Sequence, residues 1–398
     1  MIRPQPAVWF EIIAAFNGKR EVLESLAAAG CAEMEPMARP HAAGAESATG
    51  SAANREIFAR FTGWTSDTEA LMACLEQSRA PAVVHFPKAP QELQPPLILS
   101  NPGWIQPFEV FARLVGMPGR FGADPSGLLV LVAPILFGYM FGDVIQGLVL
   151  ALIGLALQWH WPMLRLLVAG GIAAMGFGFV FGAAGGLHGA LTPLWVDPLN
   201  DPLPVLLVPI AFGGALLTLG LALNGLEAYW SGRLLNWLRG DMGFLALYLG
   251  LLLALLHRAG WLLVLIGLSV QLAGRLWQER RVGAVFASIG ELVEKLLQIS
   301  INTLSFVRVG AFALAHAGLS SALAALVGNV ESSATYVLLL IAGNALIIII
   351  EVLVASIQTT RLVLFEFFTR FFETSGREFR PLPPPVGSPE EIPNAQRT

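Results

Sequence analysis

Seven apolar runs, at 127–158, 163–188, 203–230, 241–257, 260–277, 291–327 and 332–373, limit what this chain can fold into. A bilayer offers no water to pair with backbone groups, so runs of this length must be helical. The run from Glu291 to Val327 has no breaker other than scattered glycines. At the helical rise it would reach roughly 55 Å, a turn or two more than a bilayer needs. Arg308 lies at its middle. A guanidinium cannot be neutralised by losing its proton, because its pKa is above about 12. It must face protein, water or a counter-charge, which makes Arg308 a functional-site candidate.

Composition agrees with a polytopic membrane protein carrying a small polar part. Of 398 residues, 55% are hydrophobic and only 13% are charged, against about 25% charged in soluble domains. The net charge of −4 comes with no basic cluster, so no nucleic-acid partner is expected. No signal peptide is visible, because the run Ala7–Phe16 is short, follows two prolines and contains Glu11. Cys31 and Cys74 both lie in the polar N-terminal part. They form either a disulfide or two buried thiols, and a cytoplasmic location favours thiols.

Residues 1–95 read as a small α/β domain. Val8–Ala14, Cys31–Glu35, Arg55–Trp64 and Ala82–Phe86 are strand-like. Gly18–Ala29 and Asp67–Gln77 are helical, the second with Ser66 or Asp67 as N-cap and Glu69 in its first turn. The order βαβ–βαβ predicts a ferredoxin-like layer. His41–Asn54 is a loop of small residues, and Pro87–Pro107 is a proline-rich connector.

The first apolar run is one overlong helix or two short ones meeting near Gly142–Asp143. Positive charge decides between them. With a hairpin and a cytoplasmic N-terminus, inside loops hold Arg165, Arg233, Arg239, Arg275, Arg280 and Arg281, and the C-terminal tail holds Arg370, Arg377 and Arg380. Outside loops hold only Arg258. The expectation is eight spans with both termini cytoplasmic.

Polar residues on the last two runs fall in stripes. With Arg308 as origin on a helical wheel, Glu294, Gln298, Asn302, Ser305, His316 and Ser320 fall within about one third of the circumference. Asn344, Glu351 and Gln358 are spaced by seven, and Arg361 follows three residues later, all within about 100° of arc. A single buried pair would serve as interhelical glue, for example Arg308 with Glu351 or Glu294 with Arg361. Two facing stripes with both signs and carboxamides point instead to a water-lined ion path. His316 reads as a proton relay or as a satisfied core histidine. Asp143 reads as a helix-cap or turn residue, and the glycines of 170–190 as close helix packing. No phosphate-loop, zinc-ligand or Ser/His/Asp pattern is present, so no cofactor, metal or covalent chemistry is expected.

NTLSFVRVGAFALAHAGLSSAL (Asn302–Leu323) closely resembles the signature of the rotary V-type and A-type ATPase membrane stator, subunit a or subunit I. FEFFTRFFETSGREFRPL (Phe365–Leu382) is similar to that family's C-terminal end, and NPGWIQPFEVFARLVGMP and PILFGYMFGDVIQGLVL to its entry into the membrane. FTGWTSDTEALMACLEQS resembles the close of its cytoplasmic domain. The likeness runs, with gaps, from about Phe61 to Leu382. It implies two offset half-channels held against a rotating proteolipid c-ring. Arg308 would meet each rotor carboxylate, Arg361 would be a second guanidinium, and Glu351, Glu294 and His316 would line the half-channels. Gln298, Asn302, Ser305, Asn344 and Gln358 would support them. The counter-charge of Arg308 would then sit on another subunit. Implied partners are the proteolipid ring, peripheral stalk subunits, a central-stalk connector subunit and membrane lipid, in a prokaryotic plasma membrane.

The chain departs from the family in places. Val352 follows Glu351 where the family usually has Gly, and Val363–Leu364 stands where an aromatic or His often does. The family's two cytoplasmic lobes and long coiled coil shrink to about 95 residues, with His41–Asn54 where the coiled coil would be. The resulting expectation is a mainly α polytopic membrane protein of about eight transmembrane helices, the last two long and tilted. Residues 1–95 form the cytoplasmic domain for stalk attachment, 96–126 a connector, 127–373 the ion-translocation domain and 374–398 a cytoplasmic tail. The competing readings are a stand-alone secondary transporter or channel, against which the absence of an internal repeat counts, and a non-transporting assembly scaffold. A scaffold would not be expected to keep both arginines and the carboxylates.

Overall fold

A computed structural model describes residues 4–35, 58–78, 80–90, 93–99, 101–117, 119, 122, 124, 126–187, 191–279, 282–368 and 376–383. The N-terminal layer comprises β1 (Gln5–Pro6), β2 (Val8–Ala15), α1 (Lys19–Ala29), β3 (Ala32–Met34), β4 (Phe58–Thr65), α2 (Thr68–Gln77) and β5 (Ala82–His85). Strands β2 to β5 form one antiparallel sheet in the order β3–β4–β2–β5. Alternation along the strands sends Phe10, Ile12, Ala14, Ala59 and Phe61 to one face, where Val22, Leu26, Leu71 and Leu75 of the two helices cover them. Asp67 caps α2 by accepting from the backbone N–H groups of Glu69 and Ala70, a contribution of about 1 kcal/mol. The strand and helix order expected here is observed, with boundaries moved by at most one residue; the start expected for β4, at residues 55–57, lies outside the described residues. The loop His41–Asn54 lies outside the described residues. Cys31 and Cys74 are free thiols, and burial pushes both above the usual thiol range. The connector carries β6 (Leu97–Ile98), which pairs with β1, and a short helix α3 (Glu109–Val115).

The rest of the described chain is helical: α4 (Ser126–Phe141), α5 (Val144–Leu157), α6 (Arg165–Phe181), α7 (Pro202–Trp230), α8 (Leu234–Leu256), α9 (Gly260–Glu279), α10 (Val282–Ser305), α11 (Val307–Gly328) and α12 (Ser333–Arg361). Four stretches are long and apolar enough to cross a membrane, at Pro162–Phe181, Pro202–Trp230, Ile289–Gly328 and Ser333–Phe368. Four more apolar stretches are shorter, at Ser126–Phe141, Val144–Leu157, Gly240–Ala254 and Gly260–Gly274. The chain therefore reads as a mostly helical, multi-pass membrane protein. The last two long stretches are also the longest, at 40 and 36 residues.

The chain reverses at Gly142–Asp143. Along α6, Phe137 packs on Gly170, Gly138 on Ala173–Ala174, and Gly142 on Phe177 and Phe181, so α4 runs parallel to α6. Gly154 packs on Leu164 and Val168, Gly147 on Gly171 and Met175, and Gly178 on Asp143–Val144, so α5 runs antiparallel to it. The first apolar run is thus a hairpin splayed over α6.

One proline sets the position of α11. Pro209, inside α7, has no N–H to give the carbonyl of Val205 one turn earlier. That carbonyl accepts instead from the Tyr139 hydroxyl of α4 at 2.9 Å. A side chain at Gly310 would collide with the same carbonyl, so α11 approaches α7 there backbone to backbone. Phe306, fully buried, packs its ring on Gly213 of α7.

The structure corrects the continuous helix expected over Glu291–Val327. Helix α10 stops at Ser305 and α11 starts at Val307, with tight turns donating from Phe306 to the Thr303 carbonyl and from Val309 to the Phe306 carbonyl. The last helix also changes form, winding as a π-helix over Leu362–Phe368.

The C-terminal segment is docked onto the N-terminal domain. The Arg377 guanidinium donates to Glu33 at 2.5 Å and Glu35 at 2.8 Å, and the Arg380 N–H donates to Glu33 at 2.8 Å. The Leu382 N–H reaches the Ala32 carbonyl on the free edge of β3, and the Leu97 N–H reaches the Arg377 carbonyl. Phe379 packs beside Trp9 and Trp64, and Leu382 against the α/β core. Arg377→Ala is expected to loosen this strap. Faster hydrogen exchange at the Phe379 and Leu382 amides, with β2 and β4 unchanged, would be the measured outcome.

Candidate functional site

A buried polar network gathers around His316 where α11 and α12 meet the α4–α5 turn. The His316 ring places Nδ1 at 2.5 Å from Glu351 Oε2, and its Nε2 lies 4.0 Å from Asp143 Oδ2. His316 is 3% exposed and Asp143 wholly buried. Asp143 caps α5, accepting from the Gln146 backbone N–H at 2.9 Å and from the Gly185 N–H at 2.5 Å. Gly185 aims that N–H from a left-handed conformation, φ +58°. The Gln146 side chain donates to Asn344 Oδ1 at 2.7 Å, and Asn344 donates to the Gly185 carbonyl at 3.0 Å. Asp143 and Asn344 are fixed by backbone contacts, and the imidazole lies between the carboxylates of Glu351 and Asp143, bonded to the first and 4.0 Å from the second.

An imidazole in this setting can accept a proton at one nitrogen and release one from the other. A cavity of about 340 Å³ reaches it, lined by Tyr139, Asp197, Ala313, Ala317 and Ser320. His316 Nε2 and Ser320 Oγ are buried without a hydrogen-bond partner among the described residues. Two unpaired polar atoms at a roomy cavity are where water would be held.

Arg308 belongs to a second cluster. Its Nε donates to the Ser305 carbonyl at 3.1 Å, and its NH2 group pairs with Glu366 Oε1 at 3.2 Å. The break at Phe306 leaves the Ser305 carbonyl at a helix end, where a cation is favoured. The Arg308 side chain is 28% exposed and that of Glu366 12% exposed. Arg308 thus has a counter-charge in its own chain, Glu366, which is not among the residues expected at the site. Nor is Glu351 its partner, since that carboxylate binds His316.

The remaining candidates are spread. Asn302 is buried, and Ser305 contributes its carbonyl to Arg308. Glu294 and Gln298 are exposed, so the stripe drawn through α10 and α11 does not stay on one buried face. Gln358 is half-buried with Oε1 unpaired among the described residues, and Arg361 is exposed. The exposed residues share their surface with a large apolar face, including Leu297, Ile301 and Leu304 on α10 and Ile349, Leu353 and Ile357 on α12.

Two members escaped the sequence reading in different ways. Asp143 is a helix cap, as its place in the sequence predicts, and the same carboxylate also faces His316. Glu366 fell off the wheel. Asn344, Glu351 and Gln358 recur every seven residues, which would continue at Phe365 in an α-helix. A π-turn takes up about one extra residue, so Glu366 inherits the position and Phe365 turns outward, 62% exposed.

Removing one partner of the His316–Glu351 pair should leave the other buried and unmatched, costing about 3–5 kcal/mol, whereas apolar replacement of both should cost far less. Thermal unfolding of His316→Leu, Glu351→Leu and the double variant is expected to rank the double variant above either single.

No family model matches this chain. It is similar to the A-type ATP synthase subunit I of Thermococcus kodakarensis, 26% identical across 80% of this chain and 53% of that protein. It is also similar to those of Pyrococcus horikoshii, 28% identical across 72% and 47%, and Methanocaldococcus jannaschii, 28% identical across 74% and 50%. The chain spans about half the length of the curated relatives it matches.

Proposed function

From the premise that this chain is a relative of the A-type ATP synthase subunit I proteins, we propose that it is the ion-translocating stator of a rotary ATPase. The observation that carries the proposal is the placement of Arg308, a permanent cation part-exposed in a long apolar stretch and paired with a carboxylate only 12% exposed. A carboxylate carried past on a proteolipid ring would meet it there. An adjacent fixed cation lowers the pKa of a carboxylate, so the visiting group gives up its proton on reaching Arg308 and cannot carry it straight across.

In this reading the cavity at His316 is the half-channel from the outer side, with His316, Glu351 and Asp143 passing protons toward the ring. Glu294, Gln298 and Asn302 belong to the opposite half-channel, and Arg361 supplies a second guanidinium on the ring-facing surface. The eight apolar stretches all cross the membrane, the short ones with local thinning of the bilayer. Both termini are cytoplasmic, and the βαβ–βαβ sheet is a ferredoxin-like platform for peripheral and central stalk subunits. The membrane is a prokaryotic plasma membrane. The exposed apolar face of α10 and α12 is covered by lipid and by the ring.

The test is ATP-driven proton uptake by vesicles carrying the assembled complex. Arg308→Ala is expected to abolish uptake with assembly intact, and Arg308→Lys to pump poorly because a point charge lacks the planar fork. Normal pumping by Arg308→Ala would overturn the mechanism. Absence of a ring-forming proteolipid from the purified complex would favour a stand-alone transporter.

A further inference from the structure

We propose that Glu366 is a positioning residue that holds Arg308 between visits of the ring carboxylate and then exchanges places with it; this rests on the stator reading above. The first support is geometric. Glu366 Oε1 lies 3.2 Å from the Arg308 NH2 group, while the Arg308 Nε is tied to the Ser305 carbonyl. A guanidinium has five N–H donors in a rigid fork, and these two contacts engage two of them. The second support is the asymmetry of burial. The carboxylate is more deeply buried than the cation, 12% against 28% exposed, so Glu366 holds Arg308 from the inner side and leaves part of the guanidinium open.

The third support is the backbone. The π-helical segment Leu362–Phe368 brings Glu366, and not Phe365, into line with Glu351 and Gln358. Its buried neighbours Leu362, Val363, Phe367 and Phe368 fix the segment in the core. π-Turns inside helices mark functional positions often enough to be read as built features.

The physical argument concerns release. A lone guanidinium beside a bilayer would bind a passing carboxylate strongly, because the local dielectric is low. Such a pair would form readily and separate slowly. A resident carboxylate makes the encounter an exchange of one partner for another, so neither arrival nor departure leaves a bare charge. Glu366 thus lowers the hold of Arg308 on the ring while keeping the guanidinium in place.

Glu366→Gln keeps the shape and one hydrogen bond but removes the charge. In the assembled complex it is expected to slow ATP hydrolysis and proton uptake together, by about tenfold or more, the size of effect of losing one charged hydrogen bond. Passive proton permeability of the same vesicles should not rise. Glu366→Asp, less similar in shape but still charged, should recover much of the rate. A purely structural role would show the reverse, with Gln tolerated better than Asp, or hydrolysis continuing while protons leak. Either result, or wild-type rates in Glu366→Gln, overturns the proposal.

If the Gln variant does not assemble, thermal unfolding of the chain alone decides. With Arg308→Gln, Glu366→Gln and both together, a double loss no larger than the worse single supports the pair, and additive losses overturn it. Arg308→Ala run in parallel separates the two readings. Pumping by that variant sinks the stator reading, whereas its silence beside a normal Glu366→Gln sinks only the role of Glu366.

Discussion

The membrane part is organised around a charge that cannot be discharged. A buried carboxylate or lysine can shed its charge by exchanging a proton, but a guanidinium in this position has no such escape. Two departures from regular helix answer the difficulty. At Phe306 the helix breaks and leaves the Ser305 carbonyl free to accept from Arg308. At Leu362–Phe368 the facing helix widens and turns a carboxylate toward the same group. Both departures look like local irregularities when taken singly. Together they are the means by which an apolar helix pair carries a permanent cation.

Those irregular segments need a rigid frame, and the frame is made by backbone approaching backbone. Pro209 frees the Val205 carbonyl, Tyr139 takes it up, and Gly310 lets α11 settle against it. Phe306, at the break, fills the space opposite Gly213. The same logic serves the second cluster. Gly178 packs directly on the Asp143 cap, so the carboxylate facing His316 is held by the contact between α6 and the α4–α5 turn. Position in both clusters is set by elements that have little freedom to repack.

The sequence conveyed what depends on local pattern. The four-stranded sheet and its helices follow from period-two alternation and a capping aspartate, and they stand close to where the residues Val8, Asp67 and Ala82 place them. His316 and Glu351 were also legible, because the helices carrying them keep α-helical phase through those positions. The pairing of charges was not. A wheel at fixed pitch cannot show a break at Phe306, since phenylalanine is no helix breaker and the ring packs on Gly213 of another helix. It cannot show Glu366 either, because the phase slips only once the helix becomes π. Asp143 was read for one role and has two, and the second depends on His316, far away in sequence.

The strap gives the two parts of the molecule a common fate. The chain leaves α12, and after the residues that hold Glu366 it returns to cross-brace β3, β6 and the Trp9–Trp64 cluster. The Arg377–Glu35 pair is exposed and contributes little stability, whereas the partner at Glu33 is a buried carboxylate. Paired backbone hydrogen bonds and two partly buried side chains, Phe379 and Leu382, make it a splice and not a loose end. The N-terminal layer is thereby tied to the helical part by this segment as well as by the connector that carries β6.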